Sequence, residues 1–216
     1  MMPTLACVLK SGGEYKPEHV ERLYRQVRDP GRWPPGRFVC LTDFTSVVNP
    51  LVRASDQRPL TRNWPGWWSK LELCAPEHDE LGDILFLDLD TTVVGSLEDV
   101  ASVDRLTLLD DFLRSGVLAS GVMYLPVRKR RQAWEFLHMG AGPALVVQSF
   151  RRKGDAGFFN MIWRDEADRW QDVLPGQLVS YKLHVQPAEN LIPWDARLVC
   201  HHGHPRPWEV VCDDVA

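Results

Sequence analysis

Two aspartates one residue apart, Asp88 and Asp90, are the residues whose type and spacing most clearly indicate chemistry. They follow the apolar run 84–87. On extended backbone the side chains i and i+2 point to the same side, so we expect both carboxylates at the mouth of a buried strand. Such a pair repels unless a cation compensates it, and carboxylates are preferred ligands of hard divalent cations. The pair therefore predicts a divalent-metal site.

A histidine cluster near the end of the chain could complete this site. It contains His201, His202 and His204. Imidazole is a common ligand of transition divalent ions such as Mn²⁺ beside carboxylates, and the aspartate pair lacks a third ligand. Gly203 permits a close backbone approach, and Arg206 can bind a phosphate.

A Gly-Asp step, Gly154-Asp155, precedes an apolar stretch that is typical of a helix. One interpretation makes Asp155 an N-cap whose carboxylate accepts hydrogen bonds from free backbone N–H groups. The other places this carboxylate at a cleft, where it contacts substrate hydroxyls. The sequence leaves both interpretations open.

Aromatic and basic residues elsewhere could contact a ligand. Trp64, Trp67 and Trp68 offer flat apolar faces that suit sugars or bases, although core packing is expected for at least two of them. Lys70 lies one turn along the same predicted helix and could meet an anion. Tyr15 follows the first predicted strand and could stack on a base.

Periodicity predicts an α/β fold around these residues. A helix is expected from Pro17, with apolar Val20, Leu23, Tyr24 and Val27 on one face. It lies between two buried strands, and this strand–helix–strand unit is typical of parallel sheets. Further helices are predicted at 67–73, 128–139 and 156–163, and strands at 4–9, 37–41, 83–87, 106–109, 117–125, 178–185 and 197–200.

Length, charge and cysteine content narrow the kinds of protein that this chain can be. The chain has 216 residues, 44% of them hydrophobic, which suits one domain spanning 1–216. A net charge of −4 gives no case for nucleic acid. The basic clusters 128–131 and 151–153 are expected to be solvated, and a polyanionic partner is the alternative. Five cysteines without paired spacing, no apolar signal segment and no membrane-length apolar run favour a soluble cytoplasmic protein.

Taken in order, these motifs resemble the GT-A glycosyltransferases, nearest to the glycogenin and lipopolysaccharide galactosyltransferase type. The resemblance spans most of the chain. It rests on Lys70 before the metal strand, Asp88-Leu89-Asp90, Ser120-Gly121-Val122-Met123, Gly154-Asp155, and Gly203-His204-Pro205-Arg206-Pro207-Trp208. It implies a Rossmann-like, mixed and mostly parallel sheet flanked by helices.

The resemblance also implies a function. A sugar would pass from a nucleotide-diphosphate donor, such as a UDP-sugar, to a carbohydrate or other hydroxyl acceptor, with retention of configuration. Mn²⁺ or Mg²⁺ would be held by Asp88, Asp90 and His202, and Asp155 would be catalytic. The donor would be contacted by Leu9, Lys10, Tyr15, Lys70, Asp88, Leu89, Asp90, Ser120, Gly121, Gly203 and Arg206.

Two positions depart from the family pattern. Ala156 stands where the family usually has Gln, and Cys200 stands in the slot of the family's histidine. The metal ligand is therefore either His201 or His202. The acceptor would be chosen by residues 44–66 and 140–153, in which no motif is recognisable.

Two other functions fit parts of the pattern. Asp88-Leu89-Asp90-Thr91 also resembles the start of haloacid dehalogenase-type phosphatases, with Asp88 as the phosphoryl-accepting nucleophile. That motif normally lies on the first strand of its domain, whereas a strand–helix–strand unit precedes it here. The third possibility, favoured by Ala156, is a non-catalytic nucleotide-sugar-binding protein, because fold does not fix activity.

Overall fold

The architecture is that of a computed structural model, which describes residues 2–32, 36–45, 56–139 and 142–210. Its strands are β1 (Thr4–Leu9), β2 (Phe38–Thr42), β3 (Gln57–Pro59), β4 (Ile84–Leu87), β5 (Thr91–Val93), β6 (Thr107–Asp111), β7 (Arg114–Leu125), β8 (Asp168–Arg169), β9 (Leu178–Ser180) and β10 (Leu198–Cys200). Its α-helices are α1 (Pro17–Arg28), α2 (Glu98–Ser102), α3 (Val127–His138), α4 (Pro143–Ser149), α5 (Gly154–Trp163) and α6 (Trp170–Val173).

A seven-stranded mixed sheet forms the centre, in the order β3-β2-β1-β4-β7-β6-β8. β1 pairs in parallel with β2 and with β4, whereas β7 runs antiparallel to both β4 and β6. Because β1 and β4 are parallel neighbours, their carboxyl ends meet at one edge of the sheet. The segments that follow them, which begin at Lys10 and Asp88, therefore lie at the same edge.

Both faces of the sheet are covered, which explains why β1 is apolar at every position after Thr4. Leu5, Cys7 and Leu9 pack on one side with the buried face of α1. Ala6 and Val8 pack on the other side, in a cluster that includes residues of α5. A strand buried on both faces has no reason to alternate apolar and polar residues.

A smaller sheet, in the order β5-β10-β9, brings the late part of the chain to the aspartate pair. β5 and β10 are antiparallel, and Thr91 lies opposite Cys200. The pairing extends one residue further, since the N–H of His201 donates to the carbonyl of Asp90 at 3.2 Å. The histidine tail is thus fixed beside the second aspartate.

The predicted strand–helix–strand unit, the mixed sheet and the late elements are confirmed in type, with three corrections. Residues predicted as helix at 67–73 form the 3₁₀ segment Gly66–Cys74. The strand predicted at 178–185 ends at Ser180, whose hydroxyl accepts from the N–H of Leu183 and starts a π-helical turn. β3 was not predicted, because Gln57–Pro59 is a polar edge strand, where Pro is tolerated.

One basic residue predicted to be solvated is buried. Arg130 is fully buried, and its guanidinium donates to the carbonyls of Leu73 and Gly82, each at 2.7 Å. It joins α3 to the 3₁₀ segments that precede β4. By contrast, residues 151–153 are exposed, as predicted.

The remaining expectations concern cysteines and membrane spans. Cys7, Cys40, Cys74 and Cys200 are buried free thiols, as apolar packing predicts, and Cys212 lies outside the described residues, as do 46–55 of the loop 44–66. None of the helices in the described part of the chain has the length and apolar character to cross a bilayer.

Candidate active site

A cavity of ≈ 510 Å³ opens where the carboxyl ends of β1 and β4 meet. Its walls come from the segment after β1, the 3₁₀ segment Gly66–Cys74, the start of α5 and the tail. The lining residues are Val8, Lys10, Gly13, Glu14, Tyr15, Gly66, Trp67, Lys70, Asp88, Arg152, Lys153, Gly154, Asp155 and Arg206.

Lys70 and two carboxylates form the centre of the site. Nζ of Lys70 lies 2.6 Å from Oδ2 of Asp88 and 3.6 Å from Oδ2 of Asp155. Burial alone would lower the pKa of Lys70, but the two carboxylates outweigh burial and raise it, so the ammonium stays charged. The sequence predicted each of these residues separately, and the fold brings them into contact.

Asp155 is not an N-cap. The N-cap position of α5 is Lys153, and Asp155 lies in the first turn. Its Oδ2 accepts a hydrogen bond from the hydroxyl of Ser120 at 2.7 Å, and the residue is 5% exposed. The capping interpretation is therefore wrong, and the carboxylate points into the cleft between α5 and β7.

Asp88 and Asp90 reach the site by a turn and not on extended backbone. β4 ends at Leu87, and the N–H of Thr91 donates to the carbonyl of Asp88 at 3.0 Å. The predicted local geometry is wrong because the chain must reverse here to begin β5. The two carboxylates nevertheless line one further cavity of ≈ 430 Å³, together with Lys70 and the two adjacent histidines His201 and His202.

Asp90 is paired with Arg206 of the tail. The guanidinium of Arg206 donates to both Asp90 and Glu14, which closes the tail over the cavity. Burial, and then the charge of Asp88, raise the pKa of Asp90 to about 7, against the opposing effect of Arg206. The protein therefore holds two aspartates at a site where their charges are only partly compensated.

The aromatic residues of the tail meet those that follow β1. Trp208 stacks on His19, with ring centroids 3.7 Å apart, and contacts the ring of Tyr15 edge-on at 5.8 Å. The guanidinium of Arg206 lies 5.4 Å from the centre of the Tyr15 ring. Tyr15, which lines the ≈ 510 Å³ cavity, is thus held in place by the tail.

The two adjacent histidines are held as neutral rings. Burial lowers the pKa of His201 to about 4, and its ring stacks on Tyr181 at 4.5 Å. Burial also lowers the pKa of His202, whose Nε2 lies 2.6 Å from the hydroxyl of Ser180. Neutral imidazole is the form that binds metals.

The donor chemistry of this cluster fits a divalent cation. It offers two carboxylates and neutral imidazoles that line one cavity. Burial, and then the charge of Asp88, raise the pKa of Asp90, and a bound cation would relieve the repulsion between the two carboxylates. Within residues 2–32, 36–45, 56–139 and 142–210, no three His, Cys, Asp or Glu side chains are arranged to hold a metal ion. Lys70 and Arg206 contact the two carboxylates instead.

Some predicted donor contacts take other positions. The side chains of Leu9 and Leu89 are fully buried in the core, so neither offers a side-chain contact to a ligand. Gly121 accepts the N–H of Asp88 at 2.8 Å and so orients the aspartate turn. Gly203 has φ +81° and allows the tail to turn beside Lys182.

Lys10 lines the cavity but is also paired outside it. Its Nζ donates to Asp43 at 2.7 Å, and the hydroxyl of Ser11 donates to the same carboxylate at 2.6 Å. Sequence reasoning missed Asp43, although it follows β2 as Lys10 follows β1. The parallel pairing of the two strands was the signal that could have identified it.

Sequence reasoning also missed Glu14, Arg152 and Lys153 as cavity residues. Glu14 is next to Tyr15 but has no motif of its own. Arg152 and Lys153 were assigned to a basic cluster and to the acceptor range 140–153, and not to the donor site. Their place beside Asp155 was available from the sequence, since they directly precede Gly154.

The chain is similar to known proteins in structure but not detectably in sequence. No protein-family model and no curated protein matches the chain. The structure is similar to an active-site mutant of LgtC (TM-score 0.68, 14% identity, 98% of this chain and 91% of that chain). It is also similar to the galactosyltransferase LgtC in complex with donor and acceptor sugar analogs (0.67, 15%, 97% and 90%). The glycosyltransferase GlyE of Streptococcus pneumoniae matches as well (0.60, 12%, 96% and 56%).

These three matches are glycosyltransferases, and each similarity extends over nearly all of this chain. At 12–15% identity the similarity establishes the fold and no more. The expected Rossmann-like mixed sheet with flanking helices is confirmed by this match. The chain has the GT-A-like fold of these glycosyltransferases.

Proposed function

We propose that the protein is a metal-dependent glycosyltransferase that moves a sugar from a UDP-sugar to a hydroxyl acceptor, with retention of configuration. The observation that most supports this function is the position of Lys70, within 2.6 Å of Asp88 and 3.6 Å of Asp155. It places a fixed cation between a metal-ligand candidate and a buried carboxylate, in a cavity large enough for a nucleotide sugar.

Charge explains the division of roles. Breaking the bond between sugar and diphosphate leaves negative charge on the diphosphate, which Lys70 and Arg206 would stabilise as it develops. Mn²⁺ or Mg²⁺, held by Asp88, Asp90 and His201 or His202, would supply Lewis-acid stabilisation of the same charge. Arg206 would exchange its contact with Asp90 for one with the phosphates.

Asp155 would act on the sugar. The sugar becomes positively charged as its bond to the diphosphate breaks, and a carboxylate held nearby stabilises that charge. Ser120 and Lys70 hold Asp155 in position. Tyr15, which lines the same cavity beside Arg206, would stack on the base.

The acceptor would enter through the second cavity. This ≈ 430 Å³ space shares Lys70 and Asp88 with the donor cavity, so a hydroxyl bound there would lie near the sugar–diphosphate bond. Phe112 and Leu113 supply apolar surface on its wall. This arrangement suits a carbohydrate, which presents both hydroxyls and apolar C–H groups.

Calorimetry with UDP tests the metal and the nucleotide together. We expect binding to be at least about tenfold tighter with Mn²⁺ than with a chelator, because two aspartates and two phosphates otherwise repel. Asp90→Asn should remove this difference, whereas Asp172→Asn, at an exposed acidic residue of α6, should not. Equal affinity with and without metal would contradict the metal assignment.

Turnover separates the alternative functions. We expect release of UDP from a UDP-sugar, with the configuration of the transferred sugar read by NMR. Binding without turnover would indicate the non-catalytic alternative. Nucleotide-independent hydrolysis of p-nitrophenyl phosphate, lost in Asp88→Asn, would indicate the phosphatase instead.

A further inference from the structure

Trp67 differs from the two tryptophans near it in sequence. Trp68 is 3% exposed and packs in the core, and Trp64 packs against Trp134 with ring centroids 6.0 Å apart. Trp67 is 57% exposed, and it lines the donor cavity. The expectation that at least two of the three tryptophans serve core packing is met, whereas Trp67 exposes more than half of its surface beside the cavity.

The indole of Trp67 rests on the start of α5. A Cβ atom added to Gly154 would lie 2.7 Å from Nε1 of the indole, which no real contact allows. Gly154 also has φ +64°, a conformation that other residues rarely adopt. Glycine at this position therefore lets the indole approach the backbone directly before Asp155.

Trp67 lies against Gly154, which precedes Asp155, and Lys70 contacts both Asp155 and Asp88. Tyr15 lies beside Arg206, which contacts Asp90. In this series of contacts Lys70 and the aspartate pair come between Trp67 and Tyr15. If the base lies at Tyr15 and the diphosphate at Lys70, the group remaining for the Trp67 end is the sugar. A half-exposed indole face in a concave site suits a sugar ring, whose C–H groups pack on flat aromatic surfaces.

We propose that Trp67 is a specificity-determining residue whose indole stacks on the hexopyranose ring of the donor. This inference rests on the proposed function and identifies the surface that recognises the sugar. It assigns selection of the sugar to a side chain outside the aspartate pair and the tail. It also explains the glycine at position 154, since any larger residue there would displace the indole.

The test compares UDP with UDP-sugars in the Trp67→Ala and Trp67→Phe variants. Calorimetry with Mn²⁺ would use the tightest-binding of UDP-glucose, UDP-galactose and UDP-N-acetylglucosamine. Trp67→Ala should weaken the UDP-sugar about 5- to 10-fold and change UDP by less than about twofold. Trp67→Phe, which keeps a flat ring, should stay within about threefold of the wild type for both ligands.

The control is Trp194→Ala, because Trp194 is 91% exposed and does not line the cavity. It should leave both affinities unchanged. Circular dichroism should show the same fold for every variant.

Three results would overturn the inference. Equal weakening of UDP and UDP-sugar by Trp67→Ala would place the indole on the nucleotide. Unchanged affinity for both would remove Trp67 from the donor site, and a Phe variant as weak as the Ala variant would exclude stacking. In each case wild-type binding of the UDP-sugar leaves the proposed function standing, whereas a wild type that binds neither ligand refutes both.

Discussion

Replacing Lys70 by methionine should destabilise the protein because it leaves two buried carboxylates without their shared cation. The lysine is 8% exposed and contacts Asp88 at 2.6 Å and Asp155 at 3.6 Å. Methionine keeps an unbranched apolar side chain that is one heavy atom shorter, and it removes the ammonium group with its charge and hydrogen bond. The effect measured is therefore chiefly that of the lost ion pairs.

The expected magnitude follows from burial. Removing one partner of a buried ion pair costs about 3–5 kcal/mol. Side-chain exposures of 16% for Asp88 and 7% for Asp155 leave some access to water, so we expect the lower end, about 3 kcal/mol. For a chain of 216 residues this corresponds to a fall in Tm of roughly 6–12 °C.

Urea unfolding at pH 7.5 measures this free energy, and a double-mutant cycle with Asp88→Asn isolates the pair. The double variant should be about 1–2 kcal/mol more stable than the sum of the two single effects predicts. Lys16→Met is the matched control, because Lys16 is 65% exposed at its side chain and 3.9 Å from Glu18, and it should change stability by less than about 0.5 kcal/mol. Additive effects at Lys70 and Asp88 within about 0.5 kcal/mol would refute the reasoning.

Three further outcomes are expected. Because the pKa of Asp90 is raised to about 7 in the fold, the unfolded chain loses this proton first as the pH rises, and the protein becomes less stable between about pH 4 and 7. This loss of stability, up to about 4 kcal/mol, should be absent from thermal melts of ligand-free Asp90→Asn. The same pH profile in the variant and the wild type would count against the raised pKa of Asp90. Burial alone would raise the pKa of Asp43, but hydrogen bonds from Lys10 and Ser11 lower it to about 2. Asp43→Asn should therefore cost about 1 kcal/mol above pH 5 and progressively less as the pH falls through about 2. An equal cost at pH 5 and at pH 2 in urea titrations would exclude the pairing. Arg130→Leu should lower the free energy of unfolding, measured in urea, by about 3 kcal/mol, since it leaves two buried carbonyls unpaired. Arg131→Ala, at an exposed residue, should change it by less than about 1 kcal/mol. Similar effects of the two substitutions would refute the role of burial.

Much of the sheet could be predicted because its signals are local. The apolar run 84–87 predicted β4, and the spacing of Val20, Leu23 and Val27 predicted the buried face of α1. The 3₁₀ form of Gly66–Cys74 could not be predicted, because every residue from Trp68 to Cys74 is buried, polar ones included, and no single helical face is favoured. β3 escaped because an edge strand has few residues that must be apolar.

The sequence by itself determined which residues are available for chemistry. An aspartate pair follows a strand that is apolar at every position, and a Gly-Asp step precedes an apolar helix. Both are local patterns, and both lie at the ends of secondary-structure elements that the sequence predicted. The types of residue were identifiable without coordinates, and the class of ligand that they are expected to bind was inferred from them.

The tertiary structure alone decided which of these residues meet. Arg206 contacts Asp90 across 116 positions of sequence because β10 pairs with β5, and Asp155 meets Ser120 and Lys70 because α5 packs beside β7. It also decided that Trp67 faces the cavity while its neighbour Trp68 is buried. Side-chain patterns repeat over a few residues, whereas the pairing of distant strands depends on how the whole chain buries its apolar surface.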